Sequence, residues 1–231
     1  MSFEKLGLAP YLLDEVKKQN YSEPYPIQEE AIPAIIAKKD VLGIAPTGSG
    51  KTASYVLPVL MNLQRKKDLK NRHIEVLVLV PTRELAAQVG EVFNSFSQRL
   101  PDPVKTLAVF GGVSINPQML AIQGVRILVA TPGRLIELIE SKAVHIDEIS
   151  TLILDEADKM LNLGFKKEMK QIFGLLPAMK QNLLFSATVS EELNKISAAL
   201  LNNPHVIKIG VEEYNLDLIK QSAYLVDEDK K

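Results

Sequence analysis

The segment Ala45-Pro46-Thr47-Gly48-Ser49-Gly50-Lys51-Thr52 constrains this chain more than any other stretch. It follows the short apolar run 41–44 and opens a helix-length segment, 51–64. A glycine-rich turn between a buried strand and a helix commits the chain to an α/β layer, because the strand needs sheet neighbours and the helix must pack back on them. The glycines let successive backbone N–H groups turn inward, and the helix start adds partial positive charge at the same place. In that setting Thr47, Gly48, Ser49 and Gly50 can cradle a phosphate. Lys51 can reach the β- and γ-phosphates of a nucleotide, and the Thr52 hydroxyl can bind Mg²⁺. Ala45 stands where the general pattern has its first glycine. Taken alone, the same residues would also serve as an ordinary turn before a helix.

Further apolar runs of strand length recur at 76–80, 107–110, 127–129, 152–154, 183–185 and 206–209. They are mostly unalternating, as strands buried on both faces of a parallel sheet require. Helix-length segments lie between them, among them 84–100, 133–141, 165–176 and 191–201. Although 231 residues allow one large domain or two small ones, this alternation predicts one α/β domain with a mostly parallel sheet and helices on both faces. The boundaries read from the pattern are an N-terminal flank at 1–28, the sheet domain at 29–210, and a polar segment at 211–231 that is expected to begin a linker.

A net charge of -1 gives no field over the whole surface, so any nucleic-acid contact must come from a local patch and directed backbone groups. The absence of cysteine excludes disulfides, thiolate metal sites and cysteine nucleophiles. Residues 1–10 lack the basic start and apolar core of a secretory leader, and no apolar run nears membrane-spanning length. A soluble, cytoplasmic protein is therefore expected. The three histidines, His73, His145 and His205, are far apart in sequence and form no metal-ligand pattern. The charge-dense stretch 65–73 reads as a solvated insertion.

A nucleotide-bound Mg²⁺ needs a carboxylate facing the phosphate loop, at the end of a buried strand. Leu152-Ile153-Leu154-Asp155-Glu156 has that form. Asp155 would orient the metal, partly through water. Glu156 would position the attacking water or take its proton. On their own, two acids at a strand end could equally be a solvated loop.

The run Asp155-Glu156-Ala157-Asp158 occurs together with 24–28, 81–88, Gly111-Gly112, 131–135 and Ser186-Ala187-Thr188, in that order along the chain. With the phosphate loop, this ordered set resembles the N-terminal RecA-like domain of DEAD-box RNA helicases over about 3–210. The resemblance implies ATP and Mg²⁺ as ligands and RNA as partner. It makes Gln28 the reader of the adenine edge, with Tyr21 stacking on the base and Phe3 supporting the motif. Without it, Gln28 reads as a helix-surface residue. Asn20, Tyr21 and Tyr25 replace the glycine, phenylalanine and threonine usual in this motif.

The same resemblance assigns RNA backbone contacts to Pro81, Thr82, Arg83, Gly111, Gly112, Thr131, Pro132, Gly133 and Arg134. By spacing these are helix caps and turns. Contacts to phosphate and sugar carry little sequence specificity and would favour RNA through its 2′-hydroxyls. Asp158, Ser186 and Thr188 are implied to couple the nucleotide site to domain closure, while Thr188 or Ser190 could cap the following helix. The second RecA-like domain of such enzymes supplies arginine fingers from a His-Arg-x-Gly-Arg-type motif, which this sequence lacks. The isolated chain is thus expected to bind nucleotide and hydrolyse it poorly. An ATP-gated RNA clamp or ribonucleoprotein assembly scaffold, and an unrelated P-loop ATPase, are the competing readings.

Overall fold

A computed structural model describes residues 2–64, 71–98 and 100–210. The segment expected to begin a linker, 211–231, and most of the charge-dense stretch lie outside the described residues. The apolar runs form seven strands in one sheet: β1 (Val41–Ile44), β2 (Val76–Leu79), β3 (Thr106–Val109), β4 (Ile127–Ala130), β5 (Thr151–Leu154), β6 (Gln181–Ser186) and β7 (His205–Lys208). Their order across the sheet is β3-β4-β2-β5-β6-β1-β7, and every pairing is parallel. The helices are α1 (Pro10–Lys18), α2 (Pro26–Ile36), α3 (Lys51–Asn62), α4 (Arg83–Ser97), α5 (Ile115–Ala121), α6 (Pro132–Glu140), α7 (Ala157–Asn162), α8 (Lys166–Leu175) and α9 (Glu191–Leu200).

Successive strand residues point to opposite faces, which explains the unbroken apolar runs. Val76 and Val78 of β2 enter one core with Ile27, Tyr55, Phe93 and Phe185; Leu77 and Leu79 enter the other with Leu135, Met160 and Ile172. Helices α1 to α4 cover the first face, and α6 to α9 cover the second. Phe3, Leu6, Leu12 and Val16 are buried in the first core, so the N-terminal flank packs as part of the same body. Strand β6 begins two residues before its apolar run. Its polar start is buried because Gln181 Nε2 donates to the carbonyls of Ile35 and Lys39, while Asn182 N–H donates to Asp40. Among the described residues, no helix is long and apolar enough to cross a membrane.

Parallel pairing places the carboxyl ends of all seven strands along one edge, where α/β sheets bind ligands. The fold also corrects the reading of the histidines. His73 and His145 pair across a parallel bridge at the opposite edge, with their rings stacked 4.7 Å apart.

One close approach fixes how β1 sits beside β6. Gly43 of β1 lies beside Phe185 of β6, and a Cβ at residue 43 would sit 2.6 Å from the Phe185 ring. Phe185 is fully buried and cannot swing aside. Gly43→Ala should therefore lower the unfolding free energy by about 1 to 3 kcal/mol, the usual cost of overpacking, seen as an earlier urea midpoint with an unchanged slope.

Candidate functional site

The loop between β1 and α3 follows the shape its glycines permit. Gly48 and Gly50 have φ of 80° and 86°, which a side chain would oppose. At Gly50 a Cβ would also lie 2.6 Å from Gln28 Nε2, so glycine is required there twice over. No side chain caps the start of α3, leaving its first-turn N–H groups directed at the loop. The Ser49 hydroxyl is buried without a partner. Uncapped donors, a buried orphan hydroxyl and a lysine suit a phosphate group. Lys51 is buried, and its Nζ donates to the Ala45 and Pro46 carbonyls at 2.6 and 3.0 Å. Burial pushes its pKa down, while Asp155 and Glu156 oppose that shift.

Asp155 follows β5 directly and is buried opposite the loop. Its Oδ1 accepts the Glu156 backbone N–H at 3.0 Å, and its Oδ2 accepts the Tyr55 hydroxyl at 2.8 Å. Burial pushes the carboxyl pKa up; the Tyr55 bond and the Lys51 charge pull it back. Tyr55 also interacts with the Thr52 hydroxyl, so one phenol touches both groups expected to face Mg²⁺. Sequence reasoning missed Tyr55, since an aromatic in α3 looks like core. Its ring is core, packed on Phe93 and Phe185, and only its hydroxyl reaches the site. Glu156 has a left-handed backbone, φ 52°, and its carboxylate accepts from Lys159 at 3.0 Å.

Gln28 is fully buried, contrary to the helix-surface reading that its position alone suggests. Its Oε1 accepts from Tyr25 N–H at 3.0 Å, and its Nε2 donates to the Gly50 carbonyl at 3.1 Å. The amide thus ties the start of α2 to the phosphate loop while keeping one further lone pair and one further N–H. Tyr21 stands between Phe3 and Phe96, at ring distances of 6.3 and 5.7 Å. Tyr21, Gln28, Thr47, Gly48, Lys51, Thr52, Asp155 and Glu156 line one cleft of ≈ 770 Å³, within the range of small-molecule sites. A larger groove of ≈ 1250 Å³ near Lys38, Met169 and Phe173 contains none of these groups.

The loops expected to meet RNA follow β2, β3 and β4, which are neighbours in the sheet. Arg83 is exposed, paired with Glu84, and passes within 3.8 Å of where a Gly112 Cβ would stand. Thr82 Oγ1 accepts from Leu85 N–H, capping α4. Gly111 and Gly133 are half-buried; Pro81, Thr131 and Pro132 are buried. Arg134 departs from expectation. Its guanidinium is buried, donating to Glu137 and to the Val113 carbonyl at 2.8 Å each, so it braces the glycine loop instead of facing solvent. Gln118, missed in the sequence, bonds both the N–H and the carbonyl of Phe110 and holds the same loop from the other side.

Asp158 joins α7 to the turn after β6. Its Oδ2 accepts the Thr188 hydroxyl at 2.7 Å and the Thr188 N–H at 3.0 Å. Burial alone would raise this carboxyl, but hydrogen bonds from Thr188, Ser186 and backbone N–H groups outweigh it and hold the pKa below the usual value. The cap of α9 is Ser190, which leaves Thr188 to the carboxylate.

A family model described as DEAD/DEAH box helicase matches residues 25–196. The chain is 41% identical over 232 residues to the DEAD-box ATP-dependent RNA helicase CshA of Streptococcus pneumoniae serotype 4, covering 100% of this chain and 43% of that protein. It is 38% identical over 233 residues to DEAD-box ATP-dependent RNA helicase 20 of Arabidopsis thaliana, covering 100% of this chain and 46% of that one. A crystal structure of a DEAD box protein from the hyperthermophile Methanococcus jannaschii superposes with a TM-score of 0.81 at 34% identity, covering 90% of this chain and 56% of that chain. The chain thus spans less than half the length of these curated relatives.

Tyr55→Phe keeps the ring packing and removes a donor from a buried carboxylate. It should cost about 1 to 3 kcal/mol of unfolding free energy in chemical denaturation, well above a surface tyrosine-to-phenylalanine control.

Proposed function

Because the chain belongs to the DEAD/DEAH box helicase family, we propose that it is the ATP-binding RecA-like half of an ATP-dependent RNA helicase. The observation that carries this reading is the convergence of an uncapped helix start, Lys51, Thr52 and a buried, oriented Asp155 in one cleft. Lys51 would exchange the Ala45 and Pro46 carbonyls for the β- and γ-phosphates, a change favoured because a buried ammonium gains more from phosphate than from neutral carbonyls. Mg²⁺, bound by the Thr52 hydroxyl and through water by Asp155, would offset charge on the phosphates. Glu156 would orient the attacking water and take its proton.

Hydrolysis at a useful rate would need a second RecA-like domain, since an absent arginine finger costs on the order of 10³ to 10⁵ in rate. RNA would lie across the loops after β2, β3 and β4, touched by Arg83, Thr82 and the backbone at Gly111, Gly112 and Gly133. Arg134 would act indirectly, by shaping the glycine loop. Asp158 and Thr188 would transmit closure between the two sites.

The test uses this domain joined to a matching second domain. Lys51→Ala should weaken ATP binding by about 2 to 3 kcal/mol. Glu156→Gln should bind ATP and RNA normally while RNA-stimulated turnover collapses in single-turnover assays. Wild-type hydrolysis by Glu156→Gln would remove the assigned base, and ATP affinity unaffected by Lys51→Ala would remove the assigned loop.

Gln28→Ala separates base reading from loop bracing. Loss of bracing alone would weaken ADP and GDP equally. Loss of base reading should weaken ADP more and bring the ADP:GDP affinity ratio toward one, because guanine offers an acceptor where adenine offers a donor.

A further inference from the structure

His73 and His145 lie 72 residues apart, yet the backbone locks them side by side. His145 N–H donates to the Arg72 carbonyl at 2.9 Å, and Ile74 N–H donates to the His145 carbonyl at 3.1 Å. This parallel bridge sets both imidazoles on one face, stacked 4.7 Å apart and 21° from parallel. Two residues on, Asp147 returns to that face, while Ile146 between them turns into the core, as the period of an extended chain requires. The ligand atoms of His73, His145 and Asp147 all lie within 4.8 Å of one another.

The bonding of His73 identifies what the cluster lacks. Its Nδ1 lies 3.1 Å from the Asn71 carbonyl, which can only accept, so Nδ1 carries the proton. In the neutral ring Nε2 is then a bare lone pair, and it faces the Asp147 carboxylate at 3.4 Å. Two acceptors at that distance need a shared cation. A proton would do; so would a metal ion, and a second imidazole stacked alongside adds a further donor suited to a metal. The carbonyl that fixes the His73 tautomer is also the outer-shell partner that metal-bound imidazoles ordinarily have.

We propose that His73, His145 and Asp147 form a binding site for a divalent transition-metal ion of the zinc class, separate from the nucleotide cleft. Two imidazoles and one carboxylate suit Zn²⁺, whose tetrahedral ligands stand roughly 3.3 Å apart. The His73–Asp147 pair already has that spacing, and the exposed side chains of His145 and Asp147 can rotate to close the rest. The site is at the amino edge of the sheet, before β2 and β5, at the opposite edge from the loop and acids that follow β1 and β5. Its effect is to clamp two chain segments together.

The experiment is calorimetric titration of the protein with ZnCl₂ in excess Mg²⁺, added to compete for other carboxylates, together with thermal unfolding with and without Zn²⁺. One equivalent should bind, and the unfolding temperature should rise with Zn²⁺ and return with EDTA. His145→Ala and the exposed Asp147→Asn should each weaken binding by more than about 10-fold, since loss of even an outer-shell partner has that effect. His205→Ala, whose ring pairs with Glu30, should change nothing. No Zn²⁺ binding by the wild-type protein would remove the metal site. Binding undiminished in both His145→Ala and Asp147→Asn would place the metal elsewhere; either result overturns the proposal.

Discussion

All-parallel pairing is the constraint from which the rest follows. It needs helical crossovers, which cover both faces, and it sends every strand's carboxyl end to one edge. The phosphate loop, the acid pair and the turn carrying Thr188 leave β1, β5 and β6, which are neighbours. The loops assigned to RNA leave β3, β4 and β2, also neighbours. The order across the sheet therefore divides the edge into two halves that meet where β2 pairs with β5.

Within the nucleotide half, hydrogen bonds do the positioning and burial makes them matter. Asp155 and Lys51 are both removed from water, a costly placement for isolated charges. Each gains from the other's field, and each is held by fixed partners: Tyr55 and the Glu156 N–H for the acid, two loop carbonyls for the ammonium. Carbonyl partners are weaker for a cation than phosphate oxygens, so the proposed phosphate would improve the lysine's surroundings. Gln28 reaches Gly50 from another helix, which links the start of α2 and the glycine-rich loop through one amide.

The half of the edge proposed for RNA uses its polar groups differently. Gln118 and one nitrogen of Arg134 bond the loop at 110–113, a second Arg134 nitrogen bonds Glu137, and the Thr82 hydroxyl caps a helix. What remains exposed includes Gly112, the Val113 side chain, and Arg83 with its partner Glu84. Glycine backbone and Arg83 would suit the proposed sugar-phosphate contacts, which carry little base identity.

The sequence by itself determined the local elements: apolar runs became strands within a residue or two, and the glycine-rich turn and acid pair appeared at strand ends, because period, turn chemistry and burial act over a few neighbours. The Asp158–Thr188 contact and the family were legible as an ordered set of short motifs. The tertiary structure alone decided which residues face which. Burial of Gln28 and Arg134, the reach of Tyr55 to a carboxylate 100 residues away, and the meeting of His73 with His145 all depend on strand order and register. Those are settled by how whole faces pack, over separations that no local pattern encodes.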